Sequence, residues 1–180
     1  MKFDYCRYLV VILLGFFSFN AYSQGRKTIN YTEIAALLPS GNSLDGESKF
    51  SGFRTRTGLS RIIQEHFGLG IALGTDNYRR ENAGNYNTLP ITANASYFFK
   101  SDFSGFKADV YGGYAVKLFN NLSRGLTAGA GLSYSIPVNP GLNLGLQTGY
   151  NYQEIDFPST FFENGFNISS FRLGLGITFK

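Results

Sequence analysis

Large apolar side chains recur at every second position through most of this chain, the period of a strand with one apolar face. Eight segments carry the pattern. In one of the clearest, Leu126, Ala128, Ala130, Leu132, Tyr134, Ile136 and Val138 alternate with Thr127, Gly129, Gly131, Ser133, Ser135 and Pro137. Asn139-Pro140-Gly141 then signals a tight turn, and the same alternation resumes over 142–153, which predicts a hairpin. The last segment, 167–180, sets Phe171, Leu173, Leu175, Ile177 and Phe179 against Arg172, Gly174, Gly176 and Thr178. Weaker versions cover about 28–38, 50–62, 67–74, 89–99 and 107–118. No segment carries the 3.6-residue stripe of an amphipathic helix.

The connections have a rhythm of their own. Those after segments one, three and seven are long and polar ("PSGNSLDGES", "RRENAGNYN", "FPSTFFENG"), while those after two, four and six are short ("QEH", "KSDFSG", "NPG"). The fifth, "FNNLSRG", is intermediate and falls where a long one belongs. Strands that pass up and down through a slab, with one rim trimmed and the other elaborated, give this alternation. The pattern predicts an all-β fold, an up-and-down eight-stranded antiparallel transmembrane β-barrel.

Alternation alone leaves two barrels open. A soluble lipocalin-like barrel turns its apolar face inward around a small apolar ligand, and a membrane barrel turns it outward to lipid. The second face decides between them. Here it is mostly Gly, Ser, Thr, Asn and Gln, poor in the Lys and Glu of a solvated exterior but suited to a narrow interior. Aromatic residues fall near the segment ends: Phe67, Tyr97, Phe99, Phe106 and Phe179 toward the short turns, and Phe53, Tyr78, Phe119, Tyr150 and Tyr152 toward the long connections. Two such girdles are expected at the two membrane interfaces. Hydrocarbon forbids unpaired backbone groups, so the last segment is expected to close against the first.

Composition supports this picture. Aromatic residues make up 17% of the chain and charged residues 16%, a poor ratio for a solvated surface. At the start, Lys2 and Arg7 precede the apolar run "LVVILLGFFSF", and Ala21 and Ser23 are the small residues of a cleavage site. Residues 1–23 therefore read as a cleaved secretory signal, with a retained N-terminal anchor as the alternative, and 24–180 as the barrel domain. The single cysteine, Cys6, lies within the signal, so the exported domain has neither disulfide nor thiolate ligand. The net charge of +4 is not gathered into a basic run, and with the export signal this excludes a nucleic-acid partner.

With "FGLGIALGTDNYR" (67–79), "GLTAGAGLSYSIPVNPGLNLGLQTGYNY" (125–152) and the terminal "FRLGLGITFK", the chain resembles the small porin-like outer-membrane β-barrel proteins, especially those of the Bacteroidetes type. The resemblance covers nearly all of the exported part. It implies an outer-membrane location, outer-membrane lipid as surroundings and no open pore. It also implies that the last strand, with Phe171, Leu173, Leu175, Ile177 and Phe179, is the signal read by the barrel-insertion machinery. Phe179 is followed by Lys180, a small departure from a terminal aromatic.

Candidate chemistry is sparse. The one histidine, His66, lies in the "QEH" turn beside Glu65 with no third partner in sight, so no catalytic residue is expected. "GLGIALG" falls inside a strand with no helix after it and fails as a dinucleotide loop. "NSLDGE" lacks calcium-loop spacing, and no cofactor is expected. Charges on the inner face are the more informative group. Arg54, Arg56 and Arg172 are expected to meet Glu33 and Asp109 in a lumenal ion-pair network that plugs the barrel, with Lys107 and Lys117 near the rims; a narrow gated pore is the alternative. The connections "RRENAGNYN" and "DFPSTFFENGF" offer a surface on which a partner, glycan or host molecule could be bound.

Overall fold

A computed structural model describes residues 28–40, 50–80, 83–119, 122–156 and 166–180. The expected signal over 1–23 lies outside these residues, as do most of the first connection and all of "FPSTFFENG". The described chain is β-structure, with strands β1 Thr28–Pro39, β2 Phe50–Gln64, β3 Phe67–Arg80, β4 Ala83–Thr88, β5 Pro90–Phe98, β6 Gly105–Ala115, β7 Leu122–Ser123, β8 Gly125–Asn139, β9 Leu142–Ile155 and β10 Phe166–Phe179.

The sheet runs β2-β1-β10-β9-β8-β6-β5-β3, and a β2–β3 pairing joins its two ends. β3 pairs antiparallel with β4 through 76–80 and with β5 through 67–73, so β4 and β5 form one stave interrupted at Leu89. β7 is a two-residue rim pairing alongside β4. The result is a closed barrel of eight antiparallel staves, in which each main stave is hydrogen-bonded on both sides. The last strand closes against the first, with Asn30 opposite Phe179, Ile34 opposite Leu175 and Leu38 opposite Phe171.

Three expectations change. "RRENAGNYN" is mostly strand, with Arg79 and Arg80 in β3 and 83–88 in β4, so the hairpin arm extends through what reads as a loop. Sequence alternation runs to Leu118, but β6 stops at Ala115, where its partner Gly125 takes a φ of 149° and ends the ladder. Tyr78, expected in the outer girdle, is inside the barrel and only 1% exposed. Its parity with Asp76 and Gly74 determines its face, and residue type does not override that.

The two faces of the wall are sharply different. Outside, Leu175 is 57% exposed and Ile71 66% exposed, and apolar side chains continue around the barrel on every main stave. Outward charged side chains on the strands, such as Arg61, Arg79 and Glu154, stand toward the strand ends. Among the expected girdle residues, Phe53, Phe67, Tyr97, Phe99, Phe106, Phe119 and Tyr150 are exposed. Inside, the buried residues include Glu33, Arg54, Arg56, Asp76, Asp109 and Arg172.

Candidate functional site

The lumen is built in layers. Toward the long connections, Leu37, Phe50, Tyr78, Ile155 and Ile168 form an apolar cap against which Tyr86 and Phe166 pack. Toward the short turns, Ile29, Ile62 and Phe98 form a second apolar cluster, with Phe103 packed against it. Phe103 has a φ of 61°, a left-handed conformation uncommon for a non-glycine residue, and its ring lies 5.0 Å from that of Phe98. Asn143 donates to the Phe103 carbonyl at 2.8 Å and ties the turn to the barrel end. In the same turn, the Ser104 hydroxyl and N–H donate to Asp102 and hold its carboxyl below the usual carboxylate range.

Between the caps lie two polar tiers. In the first, Arg54 Nε donates to Asp76 Oδ1 at 2.6 Å and Nη2 donates to Oδ2 at 2.5 Å. Arg54 Nη1 reaches the Tyr111 hydroxyl, which donates to Asn151 Oδ1 at 2.6 Å. Asn151 Nδ2 donates to the Tyr78 hydroxyl at 2.8 Å, and Tyr78 donates to Asp76 Oδ2 at 3.4 Å. Five side chains from β2, β3, β6 and β9 thus form a closed hydrogen-bonded ring across the lumen.

In the second tier, Glu33 lies within 3.9 Å of Arg56, Arg172 and Lys107, and Asp109 lies 3.5 Å from Arg172 and 4.0 Å from Lys107. Arg56 also donates to the Tyr31 hydroxyl at 2.9 Å, Tyr31 to Asn94 at 3.1 Å, and Asn94 to Ser60 at 3.1 Å. The Tyr111 ring joins the tiers, with the guanidinium carbons of Arg56, Arg54 and Arg172 at 4.3, 5.2 and 5.4 Å from its centroid. Cations over an aromatic face are stabilised by its quadrupole, most of all where water is excluded.

Inward glycines make room for these side chains. A Cβ on Gly58 would fall 2.7 Å from the Tyr31 ring and hydroxyl. One on Gly129 would strike the Tyr111 hydroxyl, and one on Gly131 would strike the Arg172 guanidinium. The bare strand surfaces and the large lumenal groups are therefore complementary in shape.

Of the expected network, the structure brings Glu33, Arg56, Asp109 and Arg172 together and gives Arg54 a different partner, Asp76. Asp76 follows from the alternation of the third segment when it is continued two residues past Gly74. Lys107, expected near a rim, joins the second tier, whereas Lys117 is exposed beyond the end of β6. The expected insertion-signal residues lie on β10, with Phe171, Leu173, Leu175 and Ile177 exposed outward. His66 is half-buried, with Nδ1 at 2.7 Å from the Phe98 carbonyl and its ring 5.9 Å from that of Tyr97. No nucleophile or carboxylate is hydrogen-bonded to it among the described contacts.

No family model matches the chain, and no curated protein does. Among solved structures, the chain is similar to Neisserial surface protein A, with 22% identity over 85% of this chain and 96% of that one and a TM-score of 0.49. It is similar to the outer membrane protein OprG from Pseudomonas aeruginosa, with 16% identity over 84% and 95% and a TM-score of 0.44. It is also similar to Ail, the attachment invasion locus protein of Yersinia pestis, with 15% identity over 84% and 97% and a TM-score of 0.43. At these values nothing about ligand or activity passes from those proteins to this one.

Proposed function

We propose that this chain is an integral outer-membrane β-barrel protein with a closed lumen, whose role is structural or one of surface interaction through its long connections. The observation that carries the reading is the inversion of the wall. A soluble barrel that binds an apolar ligand would place its apolar face inside, but here the inside holds paired Arg, Glu and Asp and the outside is a continuous apolar belt. In water such a belt would far exceed the few hundred Å² of contiguous apolar surface usual for a monomer. In lipid it is the ordinary exterior, and closure of the sheet satisfies the backbone.

Export through the signal over 1–23, kinship with the Bacteroidetes type and insertion directed by the β10 apolar row belong to the same proposal. So does a non-enzymatic role, supported by the engagement of His66 with the Phe98 carbonyl and the Tyr97 ring. The two polar tiers and the caps at both ends support a plugged barrel over a gated pore. Cell fractionation with gel migration before and after heating tests the location. Recovery in the outer membrane with a heat-modifiable band is expected, and a protein freely soluble without detergent would overturn the reading.

A further inference from the structure

The charges of the second tier do not balance. Among the described residues, Arg56, Lys107 and Arg172 pair with the carboxylates of Glu33 and Asp109, a surplus of one cation if all are ionised. Arg54 and Asp76 neutralise each other and leave that surplus untouched. The second-tier ion pairs are also long, at 3.5 to 4.0 Å, so the two carboxylates do not saturate the three cations.

A cavity of about 20 Å³ lies beside this tier, lined in part by Lys107, Ser133, Gln147, Gly145, Gly176 and Glu33. The register explains why it is there. Lys107 opposes Ser133 and Ser133 opposes Gln147, which makes a row of inward polar groups. One row nearer the short turns, Gly145 opposes Gly176 and leaves the wall bare. A Cβ on Gly176 would meet nothing nearer than 3.8 Å. Ser133 is 8% exposed, and its hydroxyl, at the cavity wall, has no hydrogen-bond partner. The Lys107 side chain is 16% exposed, against 5% or less for the other charged groups of the tier, and marks the route of access.

We propose that this cavity is an anion site, in which one monovalent ion of halide size is held between the Lys107 ammonium and the Ser133 hydroxyl. An unmatched cation in a low-dielectric interior is costly, and a single negative charge removes the imbalance. The cavity has room for a water-sized occupant, above the roughly 10–15 Å³ that one needs. Glu33 lines the same wall, and its ion pairs with Arg56, Lys107 and Arg172 offset its repulsion of the anion. The site belongs to the lumen of the folded barrel and does not depend on where the barrel resides.

The test uses the purified full chain in a non-ionic detergent. Its unfolding midpoint is compared in sodium chloride and sodium gluconate at equal ionic strength, and bromide-soaked crystals are examined for anomalous density. The expected result is a higher midpoint in chloride, with a bromide peak between Lys107 and Ser133. The chloride advantage is retained in Lys107→Arg and lost in Lys107→Met. Gly176→Val, which fills the cavity and leaves every charge in place, also loses it, so the test stands even if Lys107→Met does not fold. An equal chloride effect in the parent and Gly176→Val, no chloride effect in the parent, or a cavity that holds water without bromide overturns the proposal.

Discussion

Asp76 stands directly opposite Arg54 in the β2–β3 register, and its two oxygens accept from both Nε and Nη2 of the guanidinium. Both side chains are fully enclosed, at 0% and 2% exposure. Removing one partner leaves a buried charge without its counter-ion, which costs about 3–5 kcal/mol, whereas replacing both by apolar groups of similar size is often near neutral. Asp76→Ala should therefore lower the temperature at which the folded gel band is lost, and Arg54→Met combined with Asp76→Leu should recover much of that loss.

Tolerance of a side chain at glycine should differ between the two faces. At inward Gly131 a Cβ would collide with Arg172, while at Gly112, exposed on the outer face, the nearest atom would be 4.0 Å away. Gly131→Ala should destabilise by about 1–3 kcal/mol, the usual cost of overpacking. Gly112→Ala should be close to neutral in the same denaturant titration.

Closed lumenal tiers predict electrical silence. Purified protein in planar bilayers should show no large, stable openings, because the Arg54–Asp76–Tyr78–Asn151–Tyr111 ring and the caps occupy the path. Tyr111→Ala removes the side chain that bonds Arg54 and Asn151 and underlies three guanidiniums, so brief openings should appear in that variant.

Leu175 lies mid-wall between Ile34 and Leu146 and is 57% exposed. If it faces lipid, Leu175→Arg costs about 2–4 kcal/mol in vesicles. On a protein surface in water the same change stays within about 0.5 kcal/mol. Equilibrium unfolding from vesicles distinguishes the two.

The staves were legible because alternation fixes a strand's faces and the turn residues punctuate it. Arg56, Glu33, Asp109 and Arg172 could be placed inside by parity alone. The Tyr111–Asn151–Tyr78 chain could not, because its members come from β6, β9 and β3 and meet only once the stagger of the closed barrel is fixed. Composition alone points Tyr78 to the girdle, because an aromatic near a strand end has the composition of a girdle residue whichever face it takes. The early end of β6 was hidden because Val116 and Leu118 continue the apolar alternation beyond the last ladder pair, Ala115 with Gly125.

The chain contains no tryptophan, so one introduced residue gives an unmixed fluorescence signal. The most direct test of the inverted wall places Trp at Leu175, and separately at Ile91 on another stave, in protein reconstituted into vesicles. Both should emit in the blue and be strongly quenched when the acyl chains are brominated. Red-shifted emission at both positions, unchanged by brominated lipid, would contradict a lipid-facing apolar belt.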